Sequence, residues 1–343
     1  MTEPSTRTTS ADADTAMAAF LDRFWDPAKK YFYTYSDRQI HPEHAVGPED
    51  GLYTDFWWEA QLWDVVMDAY ERTRGSAYRK LIDDVYDGFA ACYPTFLNDY
   101  NDDMGWWAQG SARAYELTGS QHYLDRARTV LDSVLAYCDD TYGGGIWWRR
   151  SVQDQKNVAT NAPAAITATK VYVATGDVRY LDQAQALYSW VKTALQSAGP
   201  VYDRIESPSG TLVKTDYTYN PGNYLGAASA LYKATGDSTY LSDAIGAADW
   251  AVANLAKGGT LPFEGTGDGG GFKPILVRHL DRLARDHGQV QYLGFLQHNA
   301  EQAWNHRRTS DDLIGPDWSV PAPAGPLQSL SAGAGASILQ IAG

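Results

Sequence analysis

Apolar residues recur along most of this chain at the three- and four-residue intervals of a buried helix face, and sustained strand-like alternation is scarce. The spacing predicts about twelve helices, beginning near residues 15, 55, 77, 104, 121, 157, 178, 221, 238, 272, 289 and 327. A recurring phrase punctuates them. It reads Ala114-Tyr115-Glu116-Leu117-Thr118-Gly119 with Tyr123-Leu124, Val171-Tyr172-Val173-Ala174-Thr175-Gly176-Asp177 with Tyr180-Leu181, and Leu231-Tyr232-Lys233-Ala234-Thr235-Gly236-Asp237 with Tyr240-Leu241. A fainter copy is Ala69-Tyr70-Glu71-Arg72-Thr73 with Tyr78. The Gly suits the left-handed residue that closes a helix, the Ser or Asp after it caps the next helix, and the Tyr-Leu pair packs across the turn.

Each copy therefore marks a helix hairpin, and a spacing of roughly 45 to 60 residues marks a helical-repeat array. Six such hairpins favour a closed ring of inner and outer helices, an all-α (α/α)6 toroid, over an open solenoid with bare end faces. On this reading residues 15–343 form a single domain and residues 1–14 a disordered polar tail.

Polar clusters fall at one end of the repeats. The loops leading into the helices that precede the Thr-Gly turns carry Asp55-Phe56-Trp57-Trp58, Asp102-Asp103, Lys156-Asn157 with Asn161, Asp216-Tyr217-Thr218-Tyr219-Asn220, Gly271-Phe272-Lys273 and Asp317-Trp318. If those helices line a ring, the six clusters share one funnel, and the helix N-termini around it favour ionised carboxylates.

The richest stretch is Tyr100-Asn101-Asp102-Asp103-Met104-Gly105-Trp106-Trp107, where adjacent carboxylates meet paired indoles. Two carboxyl groups can supply the nucleophile and the acid of glycoside cleavage, and flat indole faces stack on sugar rings. Neighbouring carboxylates resist joint ionisation, which raises one pKa toward the range a general acid needs. Their small separation suits the roughly 5 to 5.5 Å gap of retaining enzymes better than the wider inverting gap. The plain alternative is helix capping by Asp102 or Asp103.

The segments Asn101 to Trp107, Lys156-Asn157-Val158-Ala159-Thr160-Asn161-Ala162-Pro163, Thr218-Tyr219-Asn220-Pro221-Gly222, and Gly271-Phe272-Lys273 with Arg278 together resemble glycoside hydrolase family 76. The resemblance runs over roughly residues 15 to 341 in the family's order. It implies a single (α/α)6 domain that cleaves internal α-1,6 bonds of mannan with retention and without a cofactor. Carried over by position, Asp102 corresponds to the nucleophile and Asp103 to the acid/base. Asn157, Asn161, Asp216 and Tyr219 correspond to polar ligands of the sugars, with Trp57, Trp106 and Phe272 as stacking platforms. Each has a plain alternative: Asn157 as a helix cap, Asn161 as a packing amide, Tyr219 as a core phenol, Trp106 as helix core. The chain departs from the family pattern at Pro221 and in the loop from His41 to Asp50.

Composition narrows the partners. The 343 residues carry a formal charge of −14 with 12 Trp and 23 Tyr. An acidic chain without clustered Lys and Arg is unsuited to nucleic acid or anionic membranes, so a neutral partner such as an α-linked mannan or mannooligosaccharide fits better. A monomer is expected. No basic start followed by an apolar run, and no membrane span, stands in the sequence, which leaves a cytoplasmic protein or an exported one whose leader has been removed. Cys92 and Cys138 read as buried free thiols, with a disulfide as the alternative.

Other motifs lead nowhere. Gly265-Thr266-Gly267-Asp268-Gly269-Gly270 follows no strand and reads as a flexible rim loop, not a dinucleotide site. His41 and His44 lack further metal ligands. Asp99 with Asp102 and Asp103 has no second acidic motif, as a magnesium-diphosphate site of the terpene-cyclase kind would require. Two rivals to the mannanase reading remain: a glycosidase or transglycosylase acting on another α-linked glycan, and a catalytically silent glycan-binding ring.

Overall fold

A computed structural model describes residues 7–343, and among these it contains thirteen α-helices and two small antiparallel sheets. In chain order they are α1 (Ser10–Phe24), β1 (Trp25–Asp26), β2 (Tyr31–Phe32), α2 (Pro48–Gly51), α3 (Phe56–Thr73), α4 (Ser76–Cys92), α5 (Asn101–Thr118), α6 (Gln121–Leu135), β3 (Gln155–Asn157), α7 (Val158–Thr175), α8 (Val178–Ala194), β4 (Arg204–Glu206), β5 (Thr211–Val213), α9 (Tyr219–Thr235), α10 (Ser238–Asn254), α11 (Phe272–Asp286), α12 (Leu293–Asn305) and α13 (Ser329–Ala342). The described residues divide into two compact units, one of residues 7–94, 255–284 and 290–343, the other of residues 95–254 and 285–289.

The second unit is three hairpins, α5/α6, α7/α8 and α9/α10, with α7 packed against both α5 and α9. Burial sorts the helices into two layers. Every residue of α7 from Val158 to Thr169 and of α9 from Tyr219 to Ser229 is buried, whereas α8 buries one face through Tyr180, Ala184, Leu187, Tyr188 and Val191. A helix covered all round is an inner one, and an amphipathic helix is its outer cover.

The Thr-Gly phrase now has a mechanism. Gly119, Gly176 and Gly236 sit at φ 70°, 74° and 74°, and their N–H groups donate to Tyr115, Tyr172 and Tyr232 O. The preceding Thr hydroxyl donates back to the carbonyl four residues earlier, as Thr175 does to Val171 O at 2.7 Å, and accepts from the backbone two residues on, as from Asp177 N at 3.2 Å. In the faint copy Arg74 takes the left-handed place at φ 52°, while Thr73 makes the same two bonds. Asp177 and Asp237 then cap the outer helices through Arg179 N and Thr239 N.

In the first unit α13 packs on α1, α3 and α12, and α3 pairs with α4. Its inner contacts are close. A Cβ on Gly335 would lie 2.4 Å from the Ile314 side chain, so only glycine lets α13 approach that segment.

Three expectations need correction. Helix α1 begins at Ser10, inside the segment expected to be a tail, because Thr9 and Asp12 form a capping box; residues 1–6 of that tail lie outside the described residues. Segment 265–271 is no loose loop: Gly267–Gly271 is a 3-10 turn with Gly269, Gly270 and Gly271 buried, and a Cβ on Gly269 would fall 2.0 Å from Glu264 O. Both thiols are free, but Cys138 is exposed and Cys92 only half-buried. No described helix is long and apolar enough to cross a membrane.

Candidate active site

In the second unit the first turn of α5 carries Asp102 and Asp103, both half-buried, after the fully buried Asn101. Asn101 fixes a neighbouring loop: its Nδ2 donates to Trp147 O at 2.8 Å, its N–H to Trp148 O at 2.7 Å, and its Oδ1 accepts from Arg150 Nε at 2.9 Å. That loop delivers the Trp148 indole, whose Nε1–H donates to Asp102 Oδ2 at 2.8 Å. Asp102 Oδ1 accepts from the Asp103 N–H at 2.9 Å, and Asp103 Oδ2 accepts from Asn98 Nδ2 at 2.7 Å. Two acidic side chains in the first turn also meet the positive end of the helix dipole. Trp148 is steadied by the Tyr100 ring, 5.0 Å away, and by its own N–H on Gln155 O of β3.

Helix α7 begins where β3 ends. Asn157 caps it, accepting from Thr160 N at 2.9 Å. Asn161 is fully buried and bound to backbone: Oδ1 accepts from Ile146 N at 2.7 Å, while Nδ2 donates to Ile146 O and Asn157 O at 3.1 and 2.8 Å. Its amide therefore holds the 146–148 segment onto α7. Lys156, also fully buried, donates from Nζ to the carbonyls of Asp139, Thr141 and Gly144 and to Asp139 Oδ1 at 2.7 Å, 4.7 Å from the Trp147 ring centre. Burial works to raise the Asp139 pKa, but hydrogen bonds from Lys156, Trp147 and the Thr141 backbone bring it down to about 2.

Tyr219 opens α9, nearly buried, and donates to Asp203 Oδ1 at 2.5 Å. Burial, the charge and hydrogen bond of Asp203, and the charge of Asp102 hold the phenol well above its ordinary pKa. Asp203 in turn takes Arg204 Nη1 at 2.6 Å, and Tyr217 stacks on Tyr219 with ring centres 5.5 Å apart. Asp216 is exposed on the loop before this helix, and Trp106 is buried within α5. Asp99 accepts from the Ser151 N–H and hydroxyl, which spends it on a turn.

The first unit holds a separate cluster. Asp55 caps α3 through Trp58 N at 3.0 Å and meets His44 Nε2 at 2.9 Å, and the His44 ring stacks on Trp58 at 3.9 Å. Burial raises the Asp55 pKa, with His44 and the Trp58 N–H pulling the other way. Trp57 and Phe272 are half-buried with ring centres 6.4 Å apart, inclined by 32°. Beside Phe272, Lys273 is buried, donates to Pro262 O and Pro316 O at 3.1 and 2.7 Å, and lies 5.0 Å from the Trp318 ring centre. Burial pushes its pKa down to about 8.

Sequence reasoning missed Trp148 and Asp203. The signal for the first was the Trp147-Trp148 doublet just upstream of the Lys156-Asn157 cluster, a position from which an indole can reach back to α5. Nothing in the spacing marked Asp203, whose partner follows 16 residues later.

The sequence matches the model of glycosyl hydrolase family 76 over residues 8–339. A mannan endo-1,6-alpha-mannosidase of Saccharomyces cerevisiae is 27% identical over 232 residues, covering 60% of this chain and 52% of that protein. The chain spans about half the length of the curated relatives it matches. The solved α-1,6-mannanase of Salegentibacter sp. has a TM-score of 0.87 at 31% identity, covering 97% of this chain and 98% of that one. An inactive variant of that mannanase, with two successive aspartates changed to asparagine and in complex with α-1,6-mannotriose, matches at the same TM-score and 30% identity over the same shares of the two chains. The fold class is thus the all-α (α/α)6 one expected from the repeats. With family model and solved fold agreeing over almost every residue, the chain belongs to glycosyl hydrolase family 76.

Proposed function

We propose that this chain is a retaining endo-α-1,6-mannanase in which Asp102 is the nucleophile and Asp103 the acid/base. The observation that carries the reading is the carboxylate pair at the first turn of α5, held by Trp148 and Asn98. Other adjacent aspartates are committed elsewhere: Asp83 and Asp84 to Arg79 and Lys80, Asp139 to Lys156, Asp311 and Asp312 to Arg308 and Arg307. The inactive mannanase relative, altered at two successive aspartates, supports the same pair.

In the first step Asp102 attacks the anomeric carbon while Asp103 gives its proton to the departing glycosidic oxygen, leaving a glycosyl ester on Asp102. In the second, Asp103 takes a proton from water, the water oxygen attacks the same carbon, and the Asp102 carboxylate leaves. Indole and amide donors keep both groups oriented throughout. Asp203 orients Tyr219 toward the sugar beside Asp102, and Asn157 and Asp216 border the same loops. Asn161 acts by fixing the Trp148 segment. Trp57 and Phe272 stack sugars, and Trp106 backs the first turn of α5. An uncharged polymer suits a protein of charge −14.

The test is incubation with linear α-1,6-mannan, following product sizes and the anomer released first. Internal cleavage with the α-anomer first is expected, with Asp102→Ala and Asp103→Ala each slowed by about three orders of magnitude or more. Azide assigns the roles: with an activated aryl mannoside it gives an α-glycosyl azide on Asp103→Ala and a β-azide on Asp102→Ala. Reversed azide products would exchange the two roles. A wild-type protein that leaves α-1,6-mannan intact but cuts another α-linked polymer would overturn the substrate.

A further inference from the structure

The 3-10 turn before α11 projects one carboxylate that the mechanism does not use. Asp268 is exposed, and its Oδ1 accepts from two indoles at once, Trp57 Nε1 at 3.0 Å and Trp58 Nε1 at 2.9 Å. Among the described residues both bonds fall on Oδ1 and none on Oδ2. The turn cannot drift. Gly267 N donates to Gln328 Oε1 at 2.6 Å, Gly269 lies against Glu264 O, and a Cβ on Gly270 would meet Ser331 Oγ at 2.3 Å.

Two rigid donors on one oxygen fix the carboxylate plane relative to the Trp57 ring, so its second oxygen has a set direction. A sugar lying on a ring face presents its hydroxyls around the rim of that face, within reach of acceptors at the ring edge. Trp57 and Phe272, inclined by 32°, offer such faces, and Asp268 sits at the indole N–H edge of one of them. An ionised carboxylate is an acceptor only, so it selects a hydroxyl and rejects a substituted oxygen that has no proton to give.

We propose that Asp268 is a sugar-binding, specificity-determining residue, whose Oδ2 accepts a hydroxyl of a mannose unit stacked on Trp57. This rests on the mannanase reading and deepens it. The two indole bonds organise the site, and the second carboxylate oxygen reads the ligand. A mannose carrying a branch on the contacted hydroxyl loses the bond, so an unbranched stretch binds better.

The test is calorimetric titration of linear α-1,6-mannohexaose into the full chain carrying Asp103→Asn, with and without Asp268→Asn. The amide keeps an oxygen for both indoles and puts a donor where Oδ2 was. The expected result is a dissociation constant raised about tenfold or more, with tryptophan emission and melting temperature unchanged. Equal affinities in the two proteins overturn the inference and leave the mannanase reading standing. So does a lower melting temperature with shifted emission, which would make Asp268 a structural clasp. If Asp103→Asn itself fails to bind mannohexaose, the mannanase reading falls and the inference with it.

Discussion

Replacing Trp148 by phenylalanine removes one N–H and keeps a ring against Tyr100, whose centre is 5.0 Å away, and near the Arg149 guanidinium at 5.8 Å. The lost bond is the 2.8 Å contact to Asp102 Oδ2. Its effect depends on when Asp102 is charged. In the first step the carboxylate gives up charge to the anomeric carbon, so a donor on it stabilises the starting state as well as orienting the attack. In the second step charge returns to the carboxylate as it leaves, and the donor stabilises the transition state. A hydrogen bond to a charged group contributes about 1.5 to 3 kcal/mol, which is about tenfold to a hundredfold in rate. Breakdown of the glycosyl-enzyme should therefore slow by that factor while its formation changes less. With an aryl mannoside bearing a good leaving group, Trp148→Phe should show a burst of phenol, a glycosyl adduct by intact mass, and kcat and KM lowered together. Unchanged kcat with no burst would refute the argument. An equal fall in kcat and kcat/KM would refute it too, since the N–H would then serve the first step.

Two further outcomes follow from the buried polar groups. Asn161→Ala strips the partner from Ile146 N and from two carbonyls, so a loss of about 3 to 5 kcal/mol in denaturant unfolding is expected; a loss below about 1 kcal/mol would mean that the 146–148 segment is held by other contacts. Lys273 has a folded pKa of about 8 against an ordinary 10.5, because burial opposes its charge. Below pH 8 both states hold the proton and the penalty is fully felt. Between 8 and 10.5 the unfolded chain holds a proton that the folded one has released, so stability rises with pH. Relative to Lys273→Met, the wild type should gain up to about 3 kcal/mol between pH 7 and 10.5 in urea melts; a flat difference would show a lysine with no depressed pKa.

The parts of the molecule written in local chemistry were legible. The Thr-Gly phrase works through bonds spanning two to four residues, so its three full copies announce their hairpins, and Asp102-Asp103 stands in the open at a helix start. Glycine was harder to read. Between Gly265 and Gly271, Gly269 and Gly270 serve close approach to Glu264 and Ser331 while Gly265 and Gly267 take positive φ in open space, and on paper the two uses look alike. The Thr9 to Asp12 capping box was also available and pointed to a helix where polarity suggested a tail. What could not be read were partners distant in sequence. Trp148 reaches Asp102 across 46 residues, and Asp268 reaches Trp58 across 210, with no periodicity connecting either pair.

Lys156 and Lys273 explain why the polar clusters resist hydrophobic pattern reading. Each is a buried lysine beside a candidate sugar-site residue, Asn157 in one case and Phe272 in the other. Each sends its ammonium to backbone carbonyls of neighbouring loops and lies near a tryptophan ring, Trp147 at 4.7 Å and Trp318 at 5.0 Å. A methionine of similar length would avoid the desolvation penalty but could not satisfy several loop carbonyls. Those carbonyls lie outside the α-helices and strands, and one left without a partner would cost free energy of its own. The buried charge is thus what ties an irregular loop to the core. In the second unit the consequence runs outward along the chain: Lys156 holds the 139–144 loop against Trp147, Asn161 holds Ile146, Asn101 holds the carbonyls of Trp147 and Trp148, and only then does the Trp148 indole have a fixed direction toward Asp102.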